Sequence, residues 1–338
     1  MGVPFTQRAT EALFIHSKEI TDLISENIAL VAVLGAKGRI KVITGGLGWK
    51  ERVFYGTDPN AGHRSRYTQI PTGRLENKTM AQYDPAFFST SIVINDVDRD
   101  EAKGEAALGN MVEESWEVAK SYAVKKIGTD LWASSKASGN HPIPLPILIP
   151  ATDEASQTGT TRGGIDSAAN DWWRTRHYGT TIADLGAAAG LKKIQEYYNK
   201  CSRSSSKVSQ PDFGITTSPL FARFTSTNDG QRRWMKDDDI AKLGFEAVKY
   251  NNMSVLWDTQ CTAKAFYFLQ SRSLKIKCLK QPYMQNVAVN QKQLSLPFVI
   301  KPFINDIDTP NAVSQLYLSY QVTVNDLQSL GMLSDCTE

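Results

Sequence analysis

Cysteine is scarce in this chain of 338 residues. Only Cys201, Cys261, Cys278 and Cys336 occur, and no two stand at the Cys-x-x-Cys spacing of a zinc or redox site. Disulfide frameworks belong to smaller, denser domains, so these four read as free thiols of a reducing compartment. Long apolar runs are missing too. Nothing approaches the ~20 residues that cross a bilayer, and the most apolar stretch, "HPIPLPILIP" (141–150), is broken by four prolines. The start, "MGVPFTQRAT", lacks the apolar centre of a secretory signal. Gly2 and Thr6 fit the loose Met-Gly-x-x-x-Ser/Thr acylation pattern, which is short enough to arise by chance. Nor is there a charge excess: 38 Lys and Arg face 35 Asp and Glu, for a net charge of +3. The cations are scattered, which argues against a dedicated nucleic-acid face.

Recognisable catalytic chemistry is absent as well. There is no phosphate-binding Gly-x-x-x-x-Gly-Lys-Ser/Thr loop, no His-Glu-x-x-His zinc helix and no Gly-x-Ser-x-Gly elbow. "GGLGWK" lacks the third glycine of a dinucleotide fingerprint. His16, His63, His141 and His177 are far apart, and none has a partner at metal-ligand spacing. The run Asp237–Asp239 reads as a solvated loop. These absences predict no catalytic residue, no metal and no cofactor. The alternative is an enzyme whose site is assembled from distant residues, and its mark would be a pocket with convergent polar groups.

What the chain does have is enough length for a sizeable core and an ordinary globular composition, 41% hydrophobic and 22% charged. Residues 7–34 place Leu13, Ile20, Leu23 and Ile24 at near-helical spacing, then pass into an extended apolar run. This reads as an arm that must lie on something. Residues 38–96 read as one long two-stranded excursion. "GRIKVITGGLGWKERVFYG" goes out, a polar Gly-, Pro- and Asn-rich tip follows, and "AFFSTSIVIND" returns. An isolated hairpin of this kind is marginal in water and needs another surface.

Residues 98–134 carry the clearest helix. Leu108, Met111, Val112, Trp116, Ala119, Ala123, Ile127 and Leu131 make one stripe, and the acidic residues sit early and the lysines late, as the helix dipole favours. Its length far exceeds the mean of about 11–12 residues. A second amphipathic helix is expected over 181–200. A strand follows in "PDFGITTS", then a short helix begun by Ser218 and Pro219. Strands are expected over 245–258 (turning at Asn251–Asn252), 265–270 and 274–280, and two more near the C-terminus. The class is α+β.

The most specific stretch is "GGIDSAANDWWR" (163–174). Gly163 and Gly164 predict a turn with positive φ. Ile165 to Arg174 would open a short helix capped by Asp166. Trp172 and Trp173 bury large areas and read as core packing in preference to a partner contact.

Gly-Gly-Ile-Asp followed by Trp-Trp-Arg, lying after a long helix, resembles one branch of tailed-bacteriophage major capsid proteins. "ENIALVAVLGAKGRIKVITGG" (26–46) is similar to that family's arm-to-loop passage, "PDFGITTSPLFARF" (211–224) to its strand-then-helix segment, "LGFEAVKYNNMSVLWD" (243–258) to its Gly-Phe-Glu strand pair, and "AFYFLQSRSLKIK" (265–277) to the strands that follow. The ordered series spans about residues 20 to 325.

The resemblance implies the Hong Kong ninety-seven fold. That fold comprises an N-terminal arm (1–35), an extended loop (36–95), a peripheral domain with the spine helix (96–180), an axial domain (181–300) and C-terminal strands of the peripheral domain (301–338). It implies self-assembly into an icosahedral shell around phage DNA, in the host cytoplasm, with pentamers and hexamers of the same chain. A portal would complete the shell, and scaffolding or decoration proteins are further partners. DNA would be contacted weakly and a membrane not at all. A ring- or tube-forming auxiliary virion or tail-tube protein is the neighbouring alternative. Subunit contacts are expected at Trp49, Lys50, Arg52 and Tyr55 on the outgoing strand, Arg64 and Arg66 in the tip, and Phe87 and Phe88 on the return. The competing reading is that these are ordinary strand residues.

Overall fold

The computed structural model of the chain describes residues 28–46, 48–56, 62–69, 77–95, 97, 105–158, 161–178, 185, 187–203, 209–228, 247–280, 292–293, 296–305 and 311–337. In chain order the elements are α1 (Ala29–Ala36), β1 (Ile40–Ile43), β2 (Trp49–Phe54), β3 (Lys78–Tyr83), β4 (Ala86–Asn95) and α2 (Glu105–Trp132). After α3 (Leu145–Leu148) come the short strands β5 (Thr161–Arg162), β6 (Ile165–Asp166) and β7 (Arg176–Tyr178). Then follow α4 (Ala188–Cys201), β8 (Phe213–Thr216), α5 (Ser218–Asn228), β9 (Ala247–Tyr250), β10 (Met253–Trp257), β11 (Phe266–Leu269) and β12 (Leu274–Leu279). The chain closes with β13 (Lys292–Gln293), β14 (Val299–Ile300), β15 (Ile304–Asn305), β16 (Asn311–Val324) and β17 (Gly331–Leu333).

Two sheets organise the molecule. The first has seven strands around β16, the longest, which pairs with β12, β14 and β15 on one side and β4 on the other. Alternation along β16 explains its place: Ala312, Leu316, Leu318, Tyr320, Val322 and Val324 are all buried. α2 packs against this sheet with Val112, Trp116, Ala119, Ala123, Ile127 and Leu131, the stripe read from the sequence. At 28 residues it spans about 42 Å. The acidic residues expected at its start, Asp98, Asp100 and Glu101, lie outside the described residues.

The second sheet has six strands in the order β7-β17-β11-β8-β10-β9. It is buried on both faces, so β11 reads as the unbroken run "FYFL". Tyr267 and Leu269 enter the larger core, whereas Phe266 and Phe268 enter a second one with Ile194, Tyr198, Leu220 and Phe224 of α4 and α5. The Asn251–Asn252 turn forms as expected, with Asn251 at φ 54.

Two expectations change. The apolar run after residue 27 is helical: Ala29 to Gly35 of α1 are all buried, and a helix apolar all round belongs inside a core. The 38–96 excursion is not one hairpin. β1 joins the seven-stranded sheet beside β12, and β4 pairs with β16 over residues 86–95. The outgoing strand β2 returns instead as β3, within the stretch that the polar composition assigns to a tip. Alternation reveals that Ala86–Asn95 is a strand, but the pairing partner lies more than 200 residues away in sequence.

Asp258 ties these layers together. It is 4% exposed and accepts bonds from Trp132 Nε1 at the end of α2 (3.3 Å), from the Gln260 amide (2.9 Å) and from the backbone of Ala29 at the start of α1. Burial raises its carboxyl above the usual range and these donors oppose that rise. Asp258→Ala should therefore strand three donors and lower stability by about 2–3 kcal/mol, against about 1 kcal/mol for Asp258→Asn. Thermal unfolding of the two variants checks the order.

Candidate assembly surface

Strands β2 and β3 form a two-stranded ribbon whose register sets Trp49 against Tyr83 and Phe54 against Lys78. Alternation divides it into two faces. Trp49, Glu51, Val53, Ala81 and Tyr83 point inward and are buried; Lys50, Arg52, Phe54, Lys78, Met80 and Gln82 point outward and are exposed. A glutamate on the inward face is costly unless paired. Glu51 lies 3.0 Å from Lys275 Nζ and 2.8 Å from Lys277 Nζ, and Thr323 Oγ1 donates to it at 3.3 Å. Burial acts to raise the Glu51 carboxyl, but the bonds and charges of Lys277 and Lys275 outweigh it and hold the group below its ordinary value. Beside it, the Tyr83 hydroxyl donates to the Val324 carbonyl at 3.0 Å, and burial pushes its phenol upward. The ribbon root is thus locked over β12 and β16.

The glycine-tryptophan motif forms the other half of this lock. Gly163 (φ 58) and Gly164 (φ 75) make the two-residue turn between β5 and β6, both in the left-handed region that a type I′ turn needs. The Gly163 carbonyl accepts the Gln82 amide of β3 at 2.8 Å. A Cβ on Gly163 would stand 2.9 Å from Ala81 Cβ and 3.0 Å from the Tyr83 ring, whereas one on Gly164 meets open space. Trp172 stacks on Tyr55 at 4.4 Å with an interplanar angle of 13°. Trp173 is fully buried and its indole donates to the Arg162 carbonyl at 2.8 Å.

Behind the turn, Gln157 organises a buried network. It donates to Thr152 and Thr175 carbonyls and accepts from Thr175 N and from Arg162 Nη2. Arg162 is 2% exposed, and its Nε and Nη1 have no hydrogen-bond partner. Burial pulls its guanidinium down to about 10, with Tyr83 opposing. Arg174 pairs with Asp171 at 2.6 Å and donates to the Ser167 carbonyl at 3.0 Å. Asp166 does not cap a helix. Its carboxylate accepts from Ala168 N at 2.9 Å in an Asx turn, Ile165 and Asp166 form β6, and a 3-10 turn covers only Asp171–Trp173.

The expected contact residues separate accordingly. Trp49, 2% exposed, faces its own subunit, which corrects its reading as a contact to a neighbour. Lys50 and Arg52 lie on the outward face, Arg64 is half-buried, and Arg66 is exposed near Tyr67. Tyr55 is 37% exposed and leans on Trp172. Phe87 and Phe88 belong to β4, not to the ribbon; Phe87 is exposed and Phe88 meets Phe298 edge-on at 6.4 Å. Glu51, Tyr83, Gln157, Lys275 and Lys277 escaped the sequence reading. The signal available was a charged residue at the inward phase of β2, matched by two lysines two apart in "LKIKC".

Among the described residues no group of three His, Cys, Asp or Glu side chains is placed to hold a metal ion, and no helix is long and apolar enough to cross a membrane. All four cysteines are buried free thiols, and burial pushes those of Cys201 and Cys336 up to about 12.

No protein-family model matches the chain, and comparison with curated proteins finds no match in sequence. Solved structures do match. The capsid asymmetric unit of cyanophage A-1(L) superposes with a TM-score of 0.65 at 16% identity, covering 90% of this chain and 93% of that one. The capsid of a native GTA particle gives 0.53 at 10% identity, over 90% of both chains. That of the Myoviridae phage XM1 gives 0.50 at 10% identity, over 90% of this chain and 91% of the other. The chain has the α+β capsid fold that the sequence resemblance implied.

Gly163→Ala should cost at least about 1 kcal/mol more than Gly164→Ala, because both pay for positive φ but only the first meets β3; calorimetric midpoints compare them. Glu51→Gln should destabilise by about 3 kcal/mol at neutral pH, since it leaves two largely buried ammonium groups without a carboxylate. The folded Glu51 carboxyl ionises below its unfolded value. Its contribution is therefore full above that unfolded value, so the gap from the parent should shrink as pH falls below the ordinary carboxyl value of 4.5.

Proposed function

We propose that this chain is a major capsid protein that assembles into the icosahedral shell enclosing the double-stranded DNA of a tailed phage. The observation that carries the reading is the match to a phage capsid subunit over nine-tenths of both chains. Its own surfaces agree with it. The ribbon keeps one face for its own subunit and turns a second, basic and partly apolar face outward. In this reading Lys50, Arg52, Arg64, Arg66 and Phe87 meet neighbouring copies in pentamers and hexamers, and Tyr55 shares its ring between Trp172 and the interface.

The function is structural, and the chain does no catalysis of its own. Many modest contacts combine by multivalency into a stable shell, and a net charge of only +3 suits a wall that holds packaged DNA weakly. A portal, together with separate scaffolding or decoration proteins, would complete the particle. The subunit would assemble in the host cytoplasm and remain in the virion capsid. Negative-stain microscopy of the purified chain tests the proposal: closed shells are expected. Rings or tubes alone would favour a tail-tube component, and monomers under every assembly condition would sink the reading.

A further inference from the structure

Three stretches far apart in sequence meet around one buried histidine. His177 lies on β7, in register with Met332 of β17, and its imidazole is 2% exposed. Nε2 stands 2.9 Å from Ser334 Oγ, just past the end of β17. That hydroxyl lies in turn 3.2 Å from a carboxylate oxygen of Asp335. On the other side, Nδ1 lies 3.3 Å from a carboxylate oxygen of Asp153, yet it makes no hydrogen bond.

The four side chains form a row, Asp153, His177, Ser334 and Asp335, with three gaps between them. Each gap needs one hydrogen to become a hydrogen bond. A neutral imidazole brings one hydrogen and the serine hydroxyl another, so two hydrogens face three gaps. If Ser334 donates to Asp335, Nε2 must donate to Ser334, and a bare Nδ1 lone pair faces the Asp153 carboxylate. If Nδ1 donates to Asp153, the single Ser334 hydrogen serves either Nε2 or Asp335. The imidazolium carries a hydrogen on both nitrogens, so one added proton completes the row.

The other charged groups nearby are accounted for. Glu154, next to Asp153, is paired with Arg176. α4 packs on β7 and β17; it brings Cys201, whose buried thiol is pushed up to about 12, and Lys200, which pairs with Glu196 at 3.1 Å. Cys336 keeps its proton in the same way. Lys264, before β11, accepts the Cys336 amide on its carbonyl at 3.0 Å and is itself exposed. The charges that act on the ring are those of Asp153 and Asp335. Burial outweighs both and holds the imidazole below its ordinary 6.5, so the ring is neutral at pH 7. Asp153 is 69% exposed; its carboxylate reaches the ring from the surface and can leave without uncovering it.

We propose that His177 and Ser334, with Asp153 and Asp335 at either end, form a proton-operated latch. One proton taken up on the imidazole completes the row and fastens the Asp153 loop to the end of the six-stranded sheet. The coupling is reciprocal: Asp153 raises the affinity of the ring for a proton, so the proton tightens the hold on Asp153 by the same factor. The 3-10 turn Glu154–Ser156 runs directly into Gln157, whose network supports the Gly163 turn. Acid therefore stiffens the backing of the clamp. The fold as a whole responds in the opposite sense. A ring held below 6.5 favours the folded chain above that value, and this contribution is lost as pH falls. The latch belongs to a single copy and does not depend on the shell reading.

Deuterium exchange at the imidazole C2 position, read by mass spectrometry of the peptide that holds residue 177, follows the ring in free and assembled chains alike. His177 should titrate below 6.5, and lower still in Asp153→Asn and in Asp335→Asn. Both positions are exposed, asparagine accepts the left-handed backbone of residue 335 (φ 56), and circular dichroism of each variant checks its folding. Amide exchange over residues 154–157, corrected for intrinsic rates, should slow about fivefold or more from pH 7 to pH 5 in the parent, and not in Asp153→Asn. A ring that stays neutral until the chain unfolds in acid overturns the latch. So does a titration that Asp153→Asn leaves in place, or an amide protection that changes equally in parent and variant. If Asp335→Asn alone leaves the titration unmoved, the four-membered row is overturned and only a simple Asp153–His177 pair is left.

Discussion

The carboxylate of Glu51, held between the ammonium groups of Lys275 and Lys277, decides how the ribbon leaves the body of the molecule. Ion pairs of this kind add little net stability over well-packed apolar groups, because desolvation offsets their attraction. The stabilising weight at the root comes from burying Trp49, Val53, Tyr83 and Trp173, at about 1.5–3 kcal/mol for each large side chain. What the ion pair contributes is direction. A ribbon slipped by one residue would turn Glu51 outward, bury Lys50 or Arg52, and leave two lysines facing apolar surface. The register of the outward face, and with it any surface offered to a neighbour, follows from that constraint.

The glycine-tryptophan motif acts on the same root from the other side. Its turn brings backbone against β3 where no side chain fits, and its first tryptophan lies flat on the residue after β2. It is a clamp, with the Gln157 network behind it keeping the turn at a fixed height. The clamp and the ion pair together make the root rigid, while the outward face and the described part of the tip remain exposed.

Local pattern made several parts of this legible. The α2 stripe, the buried alternation of β16, the Asn251–Asn252 turn and the positive φ of Gly163 and Gly164 each depend on residues close in sequence, where period and turn chemistry leave few choices. Pairing was not legible. Ala86–Asn95 reads equally well as the return of a hairpin or as a neighbour of a strand more than 200 residues later. Trp49 illustrates the same limit: an aromatic residue on a short alternating strand shows which residues share its face, but not whether that face meets its own core or another copy.

Composition and period by themselves determined an α+β chain with a long helix, many short strands and a Gly-Gly turn before a tryptophan pair. They suffice because backbone sterics and side-chain periodicity act over a few residues. Only the tertiary structure decided that β1 and β4 belong to the body, that β2 returns through β3, and that Glu51 finds its two lysines on β12. Those choices depend on complementarity between surfaces far apart along the chain, where loop-closure entropy is offset only once both partners are in place.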